Sequence, residues 1–178
     1  MIGANTNILA LDVDKGEPFN GTISDLFKSY PRYQSDEDGV TILRHPHLKL
    51  TDWTGWTDVT EIQCVPYDVN IHWFTVSCAD QSIVVSDDEL LVIYDKNGNP
   101  YHGFHGDVKF KYQLTSIFNI NIGKLRIRNQ EPVFRKYSVS TNSYFDRGYR
   151  IKTKSGFYNG NNFHMNGNPD PEKYNGYK

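Results

Sequence analysis

The chain has 178 residues and a formal net charge of −2, and its Lys and Arg form no long block. That length allows one domain with a real core, and the charge pattern gives no footprint for nucleic acid or an anionic membrane. No apolar run approaches the roughly 20 residues of a membrane helix, and the opening "MIGANTNILALDVDKGEP" lacks the basic and apolar regions of a secretory signal.

The 12 Tyr and 10 Phe, with abundant Asn and Gly and little Ala, favour strands and turns over helices. In chain order, "TNILALD" (6–12) reads as a strand and "DKGEPFNG" (14–21) as a turn. "GTISDLFKSYP" (21–31) places Ile23, Leu26 and Phe27 on one helical face, with Thr22 or Asn20 as cap and Pro31 as stop. The expected helix is short and falls within residues 22–30. "RYQSDEDG" (32–39) reads as an exposed loop.

Strands dominate thereafter. "VTILRH" (40–45) and "HLKLTDW" (47–53) bracket Pro46, and "DVTEIQCVPY" (58–67) with "NIHWFTVSC" (70–78) reads as a hairpin. "SIVVS" (82–86) follows an "ADQ" turn, and "ELLVIYD" (89–95) ends in "KNGNP", an Asn-Gly hairpin signal. "DVKFKYQLTSIF", "KLRIRN", "PVFRKYSVST" and "GYRIKTKSGFY" complete an all-β pattern with turn signals at short intervals. The expected organisation is one β domain over residues 1–167 and a flexible arm over 168–178. The arm, "NPDPEKYNGYK", has too little apolar surface to offset the entropy of its own ordering.

Several groups carry candidate chemistry. His45 and His47 would share one strand face, a spacing that can bind metal, with His102 and His105 in a Gly-rich loop; no four-ligand set emerges, so no metal or other cofactor is expected. Ser86, Asp87, Asp88 and Glu89 fit a solvated turn better than a cation or acid–base cluster. Cys64 and Cys78 fall in strands, where a packed, reduced thiol is the expectation. Trp53, Trp56 and Trp73 could stack on a sugar or base, although packing is the simpler role. The Asn-Gly pairs at 20–21, 97–98, 159–160, 166–167 and 175–176 read as turns.

Three separated segments together resemble the Hint superfamily, the domains of inteins and hedgehog-type autoprocessing proteins. "MIGANTNILALDVDKGEPFNGTISDLF" is similar to the opening block, with Ala4-Asn5-Thr6 standing for Gly-Asp-Thr. "VTEIQCVPYDVNIHWFTVSCADQSIVVSDDELLVI" is similar to the second block, and "GYRIKTKSGFYNGNNFHM" to the closing ones. The resemblance implies a compact all-β fold and a set of site positions. Met1 stands where family members carry the Cys or Ser that attacks the preceding carbonyl, and a thioether cannot attack. Ser86 and Glu89 stand at the Thr and His that polarise that bond, and Arg150 replaces an Asp. His164 matches the His that assists cyclisation of the last Asn, but Met165 follows it and Asn166 comes one place late.

The resulting expectation is a Hint-like fold whose splicing chemistry has decayed, kept as a structural or interaction protein. Its partners would be proteins of a larger assembly such as a phage virion, reached after synthesis in the cytoplasm. The rival is an intein-type autoprocessing domain inactivated at residue 1, or one still cleaving through His164 and Asn166. A ligand-binding β module using the tryptophans is the third reading.

Overall fold

The computed structural model describes residues 1–30, 33–35, 38–52, 55–78, 81–86, 90–94, 100–104, 112–115, 120–122, 125–127, 133–136 and 138–167. The strands are β1 (Ile2–Gly3), β2 (Asn7–Asp12), β3 (Glu17–Thr22), β4 (Tyr33–Ser35), β5 (Thr41–Arg44), β6 (Leu48–Thr51), β7 (Trp56–Val65), β8 (Trp73–Cys78) and β9 (Gln81–Ser86). They continue as β10 (Leu90–Tyr94), β11 (Pro100–Phe104), β12 (Tyr112–Thr115), β13 (Ile120–Ile122), β14 (Leu125–Ile127), β15 (Val133–Lys136), β16 (Ser138–Asn142), β17 (Gly148–Thr153), β18 (Phe157–Gly160) and β19 (Phe163–Asn166). The helix among the described residues is α1 (Ile23–Lys28).

The all-β expectation holds, and so does the short helix. Thr22 caps α1 by accepting from the Asp25 N–H at 3.2 Å, while Ile23, Leu26 and Phe27 are buried as their spacing requires. The main sheet runs β16-β8-β9-β1-β17-β7-β6-β2-β3, with β5 on β7 and β4 on β5. A second sheet runs β11-β10-β12-β19-β18, with β15 on β12.

β7 organises the main sheet. One edge pairs with β17 from Val59 to Val65. The other edge pairs with β6 through Trp56, Thr57 and Asp58, then with β5 through Glu61 to Cys64. The change of partner falls at a bulge: Thr153 pairs with Val59 and Lys152 with Glu61, leaving Thr60 over. The free Thr60 carbonyl accepts the His45 N–H at 2.9 Å, so the extra residue is satisfied by the loop that joins the two limbs. Ile62, Leu50, Ile8 and Ile23 are fully buried between these limbs and α1, each stabilising the fold by about 1.5–3 kcal/mol.

The structure corrects five readings of local pattern. Segments 58–67 and 70–78 are not a hairpin: β7 pairs with β17, β5 and β6, and β8 pairs with β9 and β16. Alternation specified two strands but not their partners. The turn expected over 14–21 ends at Gly16, which takes φ +65°, and β3 begins at Glu17. The loop expected over 32–39 contains β4. His45 and His47 do not share a strand face. They flank Pro46 between β5 and β6, with φ of +44° and +54°. Finally, Asn20-Gly21 and Asn159-Gly160 lie inside strands β3 and β18. The tight turn of the β18–β19 hairpin is Asn161-Asn162, φ +48° and +64°, the double left-handed conformation of a two-residue hairpin loop that Asn tolerates better than most residues. The β8–β9 hairpin forms as read, and β10 pairs after the Asn97-Gly98 signal with β11, a strand that takes in His102 where a Gly-rich loop is expected. The arm 168–178 lies outside the described residues.

Candidate functional site

β1 is only two residues long, yet it sits inside the main sheet. Ile2 opposes Tyr149 of β17 on one side and Val85 of β9 on the other, and is fully buried. Beyond it the chain turns tightly, since the Thr6 N–H and hydroxyl both donate to the Gly3 carbonyl, at 3.1 and 2.8 Å. The Ala4 and Thr6 carbonyls then accept from the Ser24 and Ile23 N–H groups at 3.2 and 2.9 Å, at the start of α1, where helical donors need outside partners. Ala4-Asn5-Thr6 therefore ties the first strand to the helix.

This anchoring buries Met1, which is 1% exposed. Its ammonium nitrogen donates to the Ser86 hydroxyl at 2.6 Å, and the Ser86 N–H donates to the Met1 carbonyl at 2.9 Å. The thioether lies over Gly148 and Trp73. A Cβ at position 148 would stand 2.8 Å from the Met1 sulfur and 2.9 Å from the Trp73 ring, so glycine there is what admits the methionine. Trp73 packs on Tyr144 with ring centres 4.3 Å apart. The Tyr144 hydroxyl accepts from the Ala4 N–H at 2.8 Å and donates to the Arg147 carbonyl at 2.6 Å. Burial raises the Tyr144 phenol above its ordinary pKa. Burial first, then the Cys64 thiol, pushes Tyr149 up to about 12, against an opposing hydrogen bond from Ser24. Cys64 is a buried free thiol, as expected.

The last described residues reach the same strand. The Thr153 N–H donates to the Gly167 carbonyl at 2.9 Å, and the Gly167 N–H to the Gly156 carbonyl at 2.8 Å. A Cβ on Gly167 would stand 2.7 Å from the Thr153 hydroxyl and 3.2 Å from Tyr158, so position 167 has no room for a side chain. Ile2 meets β17 at Tyr149 and Gly167 meets it at Thr153. Four residue steps along β17 separate the two points, about 13 Å at 3.3 Å each.

Met1 and Ser86 are thus in direct contact. His164 and Asn166 lie in β19, opposite Asn159 and Phe157 of β18, and β19 delivers Gly167 to β17. The side chains of His164 and Asn166 lie outside the described residues, as do Glu89, Asp87 and Asp88. Met165, immediately before Asn166, is fully buried. Arg150 stands next to Tyr149 on β17, between the two ends. Gly148, Trp73 and Tyr144 frame the Met1 pocket. The sequence singled out only Trp73 of these three, because nothing local links residues so far apart in the chain.

His47 instead pairs with Asp14 at 3.1 Å in an exposed loop. Among the described residues no group of three or more His, Cys, Asp or Glu side chains is placed to hold a metal. Trp56 is half-buried and Trp73 buried, while Trp53 lies outside the described residues.

No family model matches the sequence, and no curated protein matches it. Solved structures do. The chain is similar to the transcription factor IIB Mvu mini-intein, with TM-score 0.69 and 13% identity over 93% of this chain and 98% of that one. It is similar to the Pab PolII intein, with TM-score 0.69 and 15% identity over 93% and 100% of the two chains. An intein from a hyperthermophile gives TM-score 0.67 and 17% identity over 93% and 98%. At such identities the likeness is one of backbone fold. The chain has the Hint fold, that of the intein superfamily.

Proposed function

We propose that this Hint domain is retired from peptide-bond chemistry and retained as a structural or interaction component of a larger assembly. The observation that carries this reading is the buried Met1 at the position of attack. An N-to-S or N-to-O acyl shift needs a thiol or hydroxyl on residue 1, and a thioether has no proton to lose and cannot form the ester. The downstream end agrees. Moving an acyl group past Asn166 would need a nucleophile on the next residue, and Gly167 has neither a side chain nor space for one. The Tyr- and Asn-rich composition fits an assembly component, and a phage virion is the assembly we propose, with synthesis in the cytoplasm.

One observation keeps the inactivated-intein reading in play. The Ser86 hydroxyl lies 2.6 Å from the nitrogen that would leave in such a shift. Both readings predict silence from the natural chain, and they part on restoration. With a peptide fused ahead of residue 1, Met1→Cys supplies a thiol beside Ser86. Its sulfur would bond to the preceding carbonyl carbon as the C–N bond breaks and the nitrogen takes the proton. Release of the fused peptide by an external thiol from that variant would mean that only the nucleophile was lost. An inert variant would mean that the pocket itself has been rebuilt around methionine, as the fit to Gly148 favours.

A further inference from the structure

β16 is an edge strand of the main sheet, and among the described residues β8 is its only partner. Natural edges are usually blunted by lysine, proline, a bulge or an inward charge. "SVSTN" has none of these, and its register against β8 runs unbroken from Ser138↔Ser77 to Asn142↔Trp73. At its C-terminal end the strand runs into a cleft of about 260 Å³ formed with the segment before β8. Phe145 is 72% exposed and Tyr67 45%, and their rings meet at 5.7 Å on the rim. Val69 adds a third exposed apolar side chain, 75% accessible, on the same segment. Scattered exposed apolar residues need no explanation, but an aromatic pair at the end of an edge unpaired among the described residues is a place to look for a partner.

The charges beside the cleft select the occupant. Asp68 and Asp146 follow directly on Tyr67 and Phe145, the two rings that touch, and both are exposed. Asp146 acts on the Tyr144 hydroxyl in the cleft lining, whereas Arg147 acts on that of Tyr149 in β17. Two carboxylates therefore stand beside a cleft whose own lining includes His72. We infer that β16 accepts an extended segment of a partner protein as an added antiparallel strand, with an aromatic or aliphatic anchor in the Tyr67–Phe145 cleft and a basic residue beside Asp68 and Asp146. Backbone pairing supplies affinity in this mode, and the anchor supplies specificity. Antiparallel addition places the anchor at the N-terminal end of the incoming segment, because the cleft lies at the C-terminal end of β16. This deepens the interaction role proposed above and rests on it.

The test uses the full chain and three capped synthetic peptides: Lys-Trp-Thr-Val-Thr-Val-Thr, its reversed sequence, and the first peptide with Glu for Lys. Binding is read by hydrogen exchange at 138–142 and by titration. The inference predicts saturable binding of the first peptide, with Kd no weaker than about 1 mM, and added protection over 138–142. It predicts about tenfold weaker binding to Phe145→Ala, and weaker binding of the reversed and Glu peptides. Tyr67→Ala, on the other exposed ring of the pair, checks the anchor independently if Phe145→Ala folds poorly. Equal binding of all three peptides, protection elsewhere, or no saturable binding overturns it. So does protection of 138–142 that rises with protein concentration alone, which would assign the edge to a second copy. A natural chain that cleaves a fused peptide overturns the retired-chemistry reading, whereas a silent chain that ignores the peptides overturns only the strand addition.

Discussion

A methyl group at position 148 would need space that the Met1 sulfur and the Trp73 ring already fill. Gly148→Ala should therefore cost about 1–3 kcal/mol by overpacking, measured by denaturant unfolding. Met1→Ala empties the pocket and has its own cost, but the double variant should be more stable than the two losses added together, because the pair shares one space. Additive losses would mean that the sulfur and Gly148 do not compete. Tyr149 gives a second prediction at this scale. Its phenol is held neutral up to about 12 against an ordinary 10. Above pH 10 the unfolded chain ionises this group while the folded chain keeps its proton. Its contribution to stability is thus complete below pH 10 and lost between pH 10 and 12. Thermal melts across that window should fall more steeply for the natural chain than for Tyr149→Phe.

The β18–β19 hairpin carries Gly167 to β17, and its two-residue turn does so with two asparagines at positive φ. Asn162 is exposed, so Asn162→Gly should leave stability nearly unchanged while Asn162→Val costs about 1–2 kcal/mol. Asn161 does more than turn the chain. Its side-chain oxygen accepts from the Asn7 N–H at 2.6 Å, and its side-chain amide donates to the Ser82 carbonyl at 2.8 Å, clasping the hairpin to β2 and β9. Asn161→Gly keeps the turn and loses both bonds, about 1–2 kcal/mol by urea unfolding. The clasp explains why reading Asn-Gly as turn chemistry failed here. Asn159 and Gly160 are held extended by pairing with His164 and Phe163, a tertiary demand that a dipeptide preference does not register.

Across the whole molecule, what the sequence made legible was the order of elements and the fold, because alternation and helical spacing are local. Strand partners were not local. β7 takes three neighbours through a one-residue bulge at Thr60, and Glu61 reaches across both edges, to Lys152 of β17 at 3.2 Å and Arg44 of β5 at 3.9 Å. Of the site, the sequence indicated Met1 and Ser86, which the fold brings to 2.6 Å. It did not indicate Gly148 or Tyr144, and it offered Asn166-Gly167 as a turn rather than as a crowded contact, a meaning that appears only when distant segments meet on β17.

The most direct test is the intact mass of the natural chain carrying a peptide before Met1 and another after Lys178, incubated with and without an added thiol. A single unchanged mass in both conditions is the predicted result. Loss of either flank, or their joining with excision of the domain, would contradict it.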